Sequence, residues 1–299
     1  MDFGFPSFFG FAYSQDQLKV VKLLKSREKV LLMAAPSFVV DFDYKTFVPL
    51  MKALGFDKVT ELTFGAKITN NNYEKFIRKN KSKQAKFISS VCPASVELIK
   101  NKFPEMKKFL LPFDSPMGAM SKVCRKNFPK HKIVFLSPCS AKKNESKNIL
   151  DKKGKPIIEC SLTFSEMKQI VAKEKPKLIE ESKNSTGFDS FMNDYTKIYP
   201  LAGGLCGTLH TKNLLKDEEI CSCDGYVRFE RTLKKEKVFF DMLFCRGGCI
   251  GGNGIASRAP VFIKKQRVLK YAKNAKREKM NGKAGSEKYC TGIDFLREL

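Results

Sequence analysis

Ten cysteines stand in this 299-residue chain beside only two histidines, His131 and His210. So few imidazoles leave most zinc-hydrolase and Cys/His schemes without a base. A metal site drawn from this inventory is thiolate-rich, which favours zinc or iron–sulfur. Four of the cysteines share a setting. Cys92, Cys139 and Cys245 each end an apolar run that reads as a strand, with Pro or Gly within two residues. Cys249 follows Cys245 across Arg246-Gly247-Gly248. Ligands gather outside the carboxyl ends of parallel strands, so these thiols are expected to converge on one crevice. Glycines let the backbone wrap closely round an inorganic centre and offer it spare N–H groups. Four thiolates are what a 4Fe–4S cluster takes. A four-cysteine zinc site takes the same number. Cys124, Cys160, Cys206 and Cys290 lack such a context and read as core or surface thiols. Cys221 and Cys223 form a C-x-C pair that reads as a loop with no ligand role.

The elements that must position these thiols alternate along the chain. Lys29 to Val40 opens as a buried strand and breaks at Ala35-Pro36-Ser37, and Tyr44 to Leu54 has helical spacing. Lys58 to Phe64 alternates as a strand, and Asn71 to Lys79 reads as a helix. Lys86 to Cys92 is a short strand, and Pro93 suits the first position of a helix over Ala94 to Lys102. His131 to Ser137 is a strand, Ser161 to Val171 a helix, and Lys237 to Phe244 a strand entering a glycine-rich turn. Asn144 to Pro156 and Lys173 to Gly187 read as surface connections, and Lys264 to Lys279 as a basic outer helix. This order predicts an α/β protein with mainly parallel sheets flanked by helices.

Lys and Arg number 56 against 31 Asp and Glu, a net charge of +25, and 42% of residues are apolar. That apolar share excludes a disordered chain. No run of ~18 apolar residues reads as a membrane span. Met1 to Tyr13 lacks the basic region and cleavage site of a secretory signal, so a cytoplasmic protein is expected. The lysine-rich surface suits an acidic partner. Nothing has zinc-finger or RNA-binding spacing, so nucleic acid is not expected.

The strings around the four cysteines resemble the iron-only (FeFe) hydrogenases. Ser89-Ser90-Val91-Cys92-Pro93-Ala94 resembles that family's Thr-Ser-Cys-Cys-Pro-x-Trp. Ser137-Pro138-Cys139-Ser140-Ala141-Lys142-Lys143-Asn144-Glu145 resembles Met-Pro-Cys-x-x-Lys-x-x-Glu. Asp241 to Gly252 resembles Glu-x-Met-Ala-Cys-x-x-Gly-Cys-x-x-Gly-Gly. Ala35-Pro36-Ser37, the Ser115-Pro116 segment and Gly203-Gly204 match further family loops. Order and spacing hold from about Lys29 to Gly254.

The resemblance implies two lobes with the metal cluster in the crevice between them. We expect a first lobe over 1–118, a second over 119–260, and a basic helical extension over 261–299. It implies a 4Fe–4S cluster on Cys92, Cys139, Cys245 and Cys249. Cys249 would bridge to a two-iron subcluster carrying CO, cyanide and azadithiolate. Lys142, with Ser37 and the Pro36 loop, would bond a cyanide. Ser115 and Gly204 join the cofactor-binding set, and Glu74 and Arg78 match the outer end of the family's proton route. The implied reaction is interconversion of protons, electrons and H2, in the cytoplasm or the matrix of an anaerobic organelle. The implied partners are an acidic ferredoxin-like electron carrier and H-cluster maturation proteins. No C-x-x-C-x-x-C run of added ferredoxin-like clusters is present, so electrons are expected to enter the 4Fe–4S unit directly.

The departures fall on the proton route. Val91 stands where the family relays a proton through cysteine. Asn71 falls at the relay's glutamate and Leu111 at its serine. Ser137 and Leu243 replace methionines beside the two-iron unit. A slow enzyme, an H2 sensor, and a Narf-like iron–sulfur assembly protein are therefore the alternatives, alongside four-cysteine zinc.

Overall fold

The computed structural model describes residues 12–177, 187–189, 195–209, 214–275 and 289–299. His210 and the end of the basic helix lie outside them. Two all-parallel sheets form the frame. The first has the order β2-β1-β4-β5, with β1 at Val30–Ala34, β2 at Lys58–Glu61, β4 at Lys132–Ser137 and β5 at Ile158–Thr163. The second has the order β3-β7-β6, with β3 at Phe87–Ile88, β6 at Ile220–Asp224 and β7 at Phe239–Leu243. Every residue of β1 and β7 is buried. Parallel sheets covered on both faces need such unbroken burial, which is why these strands read as continuous apolar runs.

The sheets do not follow a boundary near residue 118. β4 and β5 return to the sheet begun by β1 and β2, while β3 leaves early to pair with β7. Each lobe therefore draws strands from both halves of the chain. Pairing of β1 with β4 across about 100 residues is invisible to a reading that follows local period.

Helices cover the faces. They are α1 (Gln15–Lys25), α2 (Tyr44–Ala53), α3 (Thr63–Asn80), α4 (Pro93–Lys102), α5 (Pro116–Asn127), α6 (Ala141–Lys147) and α7 (Phe164–Glu174). Short α8 (Gly204–Thr208) and α9 (Phe229–Leu233) follow, then α10 (Val261–Ala275). Pro93 does open α4. Four readings change. The strand expected over Lys58 to Phe64 ends at Glu61, and Thr63 already opens α3. Residues 161–163 end β5, and Thr163 caps α7 in a reciprocal box with Glu166. That box marks a helix start that apolar spacing alone missed. The C-x-C pair lies on β6, with both cysteines inward and Ser222 outward, the period of a strand. α6 occupies part of the expected connection over 144–156.

One buried ion pair ties the outer elements to the first sheet. Glu61, at the end of β2, accepts from Lys197 Nζ at 2.7 Å and from Tyr271 Oη of α10 at 2.7 Å. Lys197 is 1% exposed and Glu61 0%. Lys197 lies on a 3-10 turn, Tyr195–Ile198, and leads directly into Tyr199 and Pro200.

Candidate metal centre

The cysteine cavity opens where the two sheets meet. The end of β1 supplies Ala35, Pro36 and Ser37, and the end of β4 supplies Pro138 and Cys139. From the second sheet come Val91 and Cys92 after β3, and Phe244, Cys245 and Cys249 after β7. All four predicted ligands, with Pro36, Ser37 and Lys142, therefore line one space. Its remaining wall is largely apolar, with Leu62, Ala66, Phe135, Leu205 and Leu243.

The Cys245–Cys249 turn is held from outside. Gly248 has φ +83°, and a Cβ there would lie 2.6 Å from Pro200 O. Only glycine takes that conformation and that approach without strain. Cys249 N then donates to Pro200 O at 2.7 Å, and Gly254 N to Pro138 O at 2.8 Å. These bonds join the loop after β7 to the loops carrying Tyr199 and Cys139.

Burial governs the thiols. It pushes Cys245 up to about 11 with help from Cys139 and Cys92, and pushes Cys139 and Cys249 up as well. Cys249 lies within electrostatic reach of Cys92, Cys139 and Cys245. Burying four thiolates demands a compensating cationic centre. Among the described residues, no three His, Cys, Asp or Glu side chains are gathered closely enough for a single ion. Tetrahedral zinc with Zn–S near ~2.3 Å requires such a gathering. Thiols spread round a dry cavity suit a larger polynuclear centre better.

Two orphaned hydroxyls strengthen that fit. Ser37 Oγ and Tyr199 Oη are buried, line the cavity, and have no hydrogen-bond partner among the described residues. A buried polar group left unmet costs about 1–3 kcal/mol, so both call for a polar occupant of the cavity.

Lys142 reaches the cavity from α6. Its Nζ donates to Glu145 Oε2 at 2.6 Å, Val91 O at 3.1 Å and Ser115 Oγ at 3.3 Å. Arg297 donates to the other Glu145 oxygen at 2.7 Å. Burial opposes the Glu145 charge, yet Lys142 and Arg297 hold its carboxyl below the usual range. A depressed acid contributes stability above its unfolded pKa and loses it as pH falls through the folded value. Thermal melts from neutrality to pH below the ordinary Glu range should show Glu145→Gln losing less stability than wild type on acidification. Parallel acid profiles would remove Glu145 from that role.

The other expected residues stand further off. Ser115 caps α5 and braces Lys142, outside the cavity wall. Gly204 packs behind it: a Cβ there would lie 2.1 Å from Ile198 O and 3.0 Å from Tyr199 Cα. Its lack of a side chain seats Tyr199 against the cavity. Glu74 and Arg78 form a surface i,i+4 pair at 3.0 Å. Asn71 is exposed, and the inward positions of α3 are Asn70, Tyr73 and Ile77. Tyr73 Oη meets Ser90 Oγ at 3.0 Å and accepts from Ser90 N at 2.8 Å. Leu111 is fully buried, its side chain carries no donor, and its carbonyl accepts from Ser90 Oγ at 2.6 Å.

The sequence reading missed Tyr199 and Asp241 as wall residues. Asp241 was visible only as a signature position, and Tyr199 stands four residues before the Gly203-Gly204 pair. The family model for the iron-only hydrogenase large subunit, C-terminal domain, matches residues 28–253. The chain belongs to the iron-only hydrogenase family. It is 22% identical over 315 residues to iron hydrogenase 1 of Clostridium pasteurianum, covering 84% of this chain. It spans about half, 54%, of that relative's length. Among solved structures it resembles one from a study of FeFe-hydrogenase oxygen inactivation, with TM-score 0.66 and 14% identity over 90% of this chain and 91% of the other. A Chlamydomonas reinhardtii FeFe-hydrogenase gives TM-score 0.63 and 15% identity, over 85% and 88%. These likenesses show the H-cluster-domain fold: parallel sheets flanked by helices. No described helix is long and apolar enough to cross a membrane.

Proposed function

We propose that this H-cluster domain interconverts protons and electrons with H2, and does so slowly. The observation that carries the reading is the convergence of Cys92, Cys139, Cys245, Cys249, Ser37 and Lys142 on one cavity between the sheets. The four cysteines would hold a 4Fe–4S cluster, with Cys249 as the link to a two-iron unit bearing CO, cyanide and azadithiolate. Bound there, that unit supplies the redox site for H2 chemistry. The protein's part is to exclude water, aim donors and deliver protons. Ser37 Oγ has a free hydrogen bond to give. Lys142, close enough to turn from Glu145, offers a charge-assisted donor to an anionic ligand. Ser115 and Gly204 brace these groups from behind, and Glu74 with Arg78 marks a surface acid on the outer side.

Val91 is the reason for slowness. It lines the cavity where a proton donor is needed, and an isopropyl group carries none. A positioned acid or base is worth on the order of 10²–10⁴ in rate. Val91→Cys is therefore expected to raise H2 evolution by about tenfold or more, within that range. An unchanged rate would mean that protons reach the site by another wall.

Electrons would enter beside Cys245. Tyr226 is 55% and Val227 82% exposed, and Tyr226 stacks on Phe244 with ring centroids 4.9 Å apart. Phe244 lines the cavity, and exposed Arg228 and Arg246 flank the patch. An acidic ferredoxin-like carrier fits this surface by charge, with a salt-dependent on-rate. Maturation proteins would be needed to load the two-iron unit. The reading is tested by H2 evolution from protein given its 4Fe–4S cluster and a synthetic two-iron precursor, driven by a reduced dye. Turnover above that of the 4Fe–4S-only protein supports it, and equality of the two contradicts it.

A further inference from the structure

We propose that Tyr199, Asp241 and Cys206 form a proton-carrying wall of this cavity, serving in place of the thiol that Val91 lacks. The inference rests on the reading of the cavity as an H-cluster site. Tyr199 Oη is the group that meets the occupant, and the Asp241 carboxyl and Cys206 thiol hold the proton behind it.

Three observations converge. Tyr199 Oη is buried, lines the cavity and has no partner among the described residues, so its proton is free to donate inward. Asp241 lines the same cavity, is 0% exposed, and among the described residues has only long side-chain bonds. Ser89 Oγ donates to its Oδ1 at 3.4 Å, and Cys206 Sγ to its Oδ2 at 3.8 Å. Cys206 itself is only half-buried and adjoins exposed Gly207 on α8, so the pair reaches toward solvent. Tyr199 lies within electrostatic reach of Asp241, Cys206 and Cys249. The groups facing Asp241 are thus Ser89 after β3, Cys206 on α8, Tyr73 on α3 and Tyr199. Burial, partly offset by the Ser89 and Cys206 bonds, pushes its carboxyl up to about 7.

The transfer conserves charge and atoms. As Tyr199 Oη gives its proton inward, the phenol oxygen takes one from Asp241 through an intervening water. Asp241 is then reprotonated from solvent past Cys206. No electron moves in this sequence. Gly204, pressed against Ile198 and Tyr199, and the Lys197–Glu61 pair just before it fix the phenol in place.

The first test needs no two-iron unit. Infrared difference spectra of the 4Fe–4S-reconstituted protein are recorded across neutral pH. The proposal expects a protonated carboxyl band that disappears with a midpoint near 7 and is absent from Asp241→Asn. It also expects a thiol S–H band that shifts in the same titration and is absent from Cys206→Ala. If Asp241→Asn leaves every titrating carboxyl band in place, the store is overturned. The second test uses protein matured with the synthetic two-iron precursor. Tyr199→Phe should cut H2 evolution at least tenfold and alter its pH profile, and adding Val91→Cys to that variant should restore the rate. A structural role for Tyr199 predicts no such rescue. An unchanged rate and pH profile in Tyr199→Phe overturns the inward donor. If matured wild type shows no CO or cyanide bands, the functional reading fails instead, and the carboxyl titration still decides the store.

Discussion

Cys249→Ala protein, reconstituted and offered the two-iron precursor, is expected to evolve no H2 above background while retaining part of its 4Fe–4S content. Three thiols, Cys92, Cys139 and Cys245, still line the cavity, and three thiolates with an outside ligand can still hold iron. Cys249 differs from them in place. It follows a glycine at φ +83°, its N–H is tied to Pro200 O, and burial raises its thiol strongly. It lines the same cavity as Ser37 and Tyr199. Iron analysis and electron paramagnetic resonance would count the surviving cluster. Wild-type H2 evolution from this variant would show that the bridge lies elsewhere.

Lys197→Met is expected to be among the most destabilising single changes. It leaves Glu61 charged, 0% exposed and with Tyr271 and Thr63 as its remaining donors. Breaking a buried pair from one side costs about 3–5 kcal/mol. For a chain of this size that lowers Tm by roughly 10 °C. The double change Lys197→Met with Glu61→Gln should recover part of the loss, because no unpaired charge is then buried. Thermal melts of the three proteins measure this directly. A single variant as stable as wild type would mean that the Lys197–Glu61 pair contributes little to holding the fold. Since Lys197 precedes Tyr199, the same lesion should also loosen the cavity wall, seen as lower cluster retention.

How far the site could be read from sequence depended on how local its cause was. The convergence of the four cysteines on one cavity was legible because a cysteine, a Pro or Gly and a preceding apolar run all fall within a few residues. Ser37 and Lys142 followed from loop position in the signatures. Tyr199 was not legible. Its place in the cavity wall is set by folding with chain segments distant in sequence, and nothing beside it distinguishes a core tyrosine from one with an unmet hydroxyl. Cys206 read as incidental for the same reason: its partner, Asp241, is 35 residues on. Helix phase accounts for Asn71, which the ungapped spacing placed in the relay and which α3 turns to solvent. The parallel frame was readable from alternation of strand and helix. The interleaving of the two sheets was not, because strand order is set by crossovers rather than by local period.

The central claim is that this cavity holds an H-cluster rather than zinc or a lone 4Fe–4S cluster. Infrared spectroscopy of protein matured with a synthetic two-iron precursor tests it most directly, since CO and cyanide stretch where protein is nearly silent. The structure predicts sharp CO and cyanide bands, with the cyanide bands shifted in Ser37→Ala and Lys142→Met. Absence of those bands from protein that still shows its 4Fe–4S signal would contradict the claim and point to an iron–sulfur assembly role.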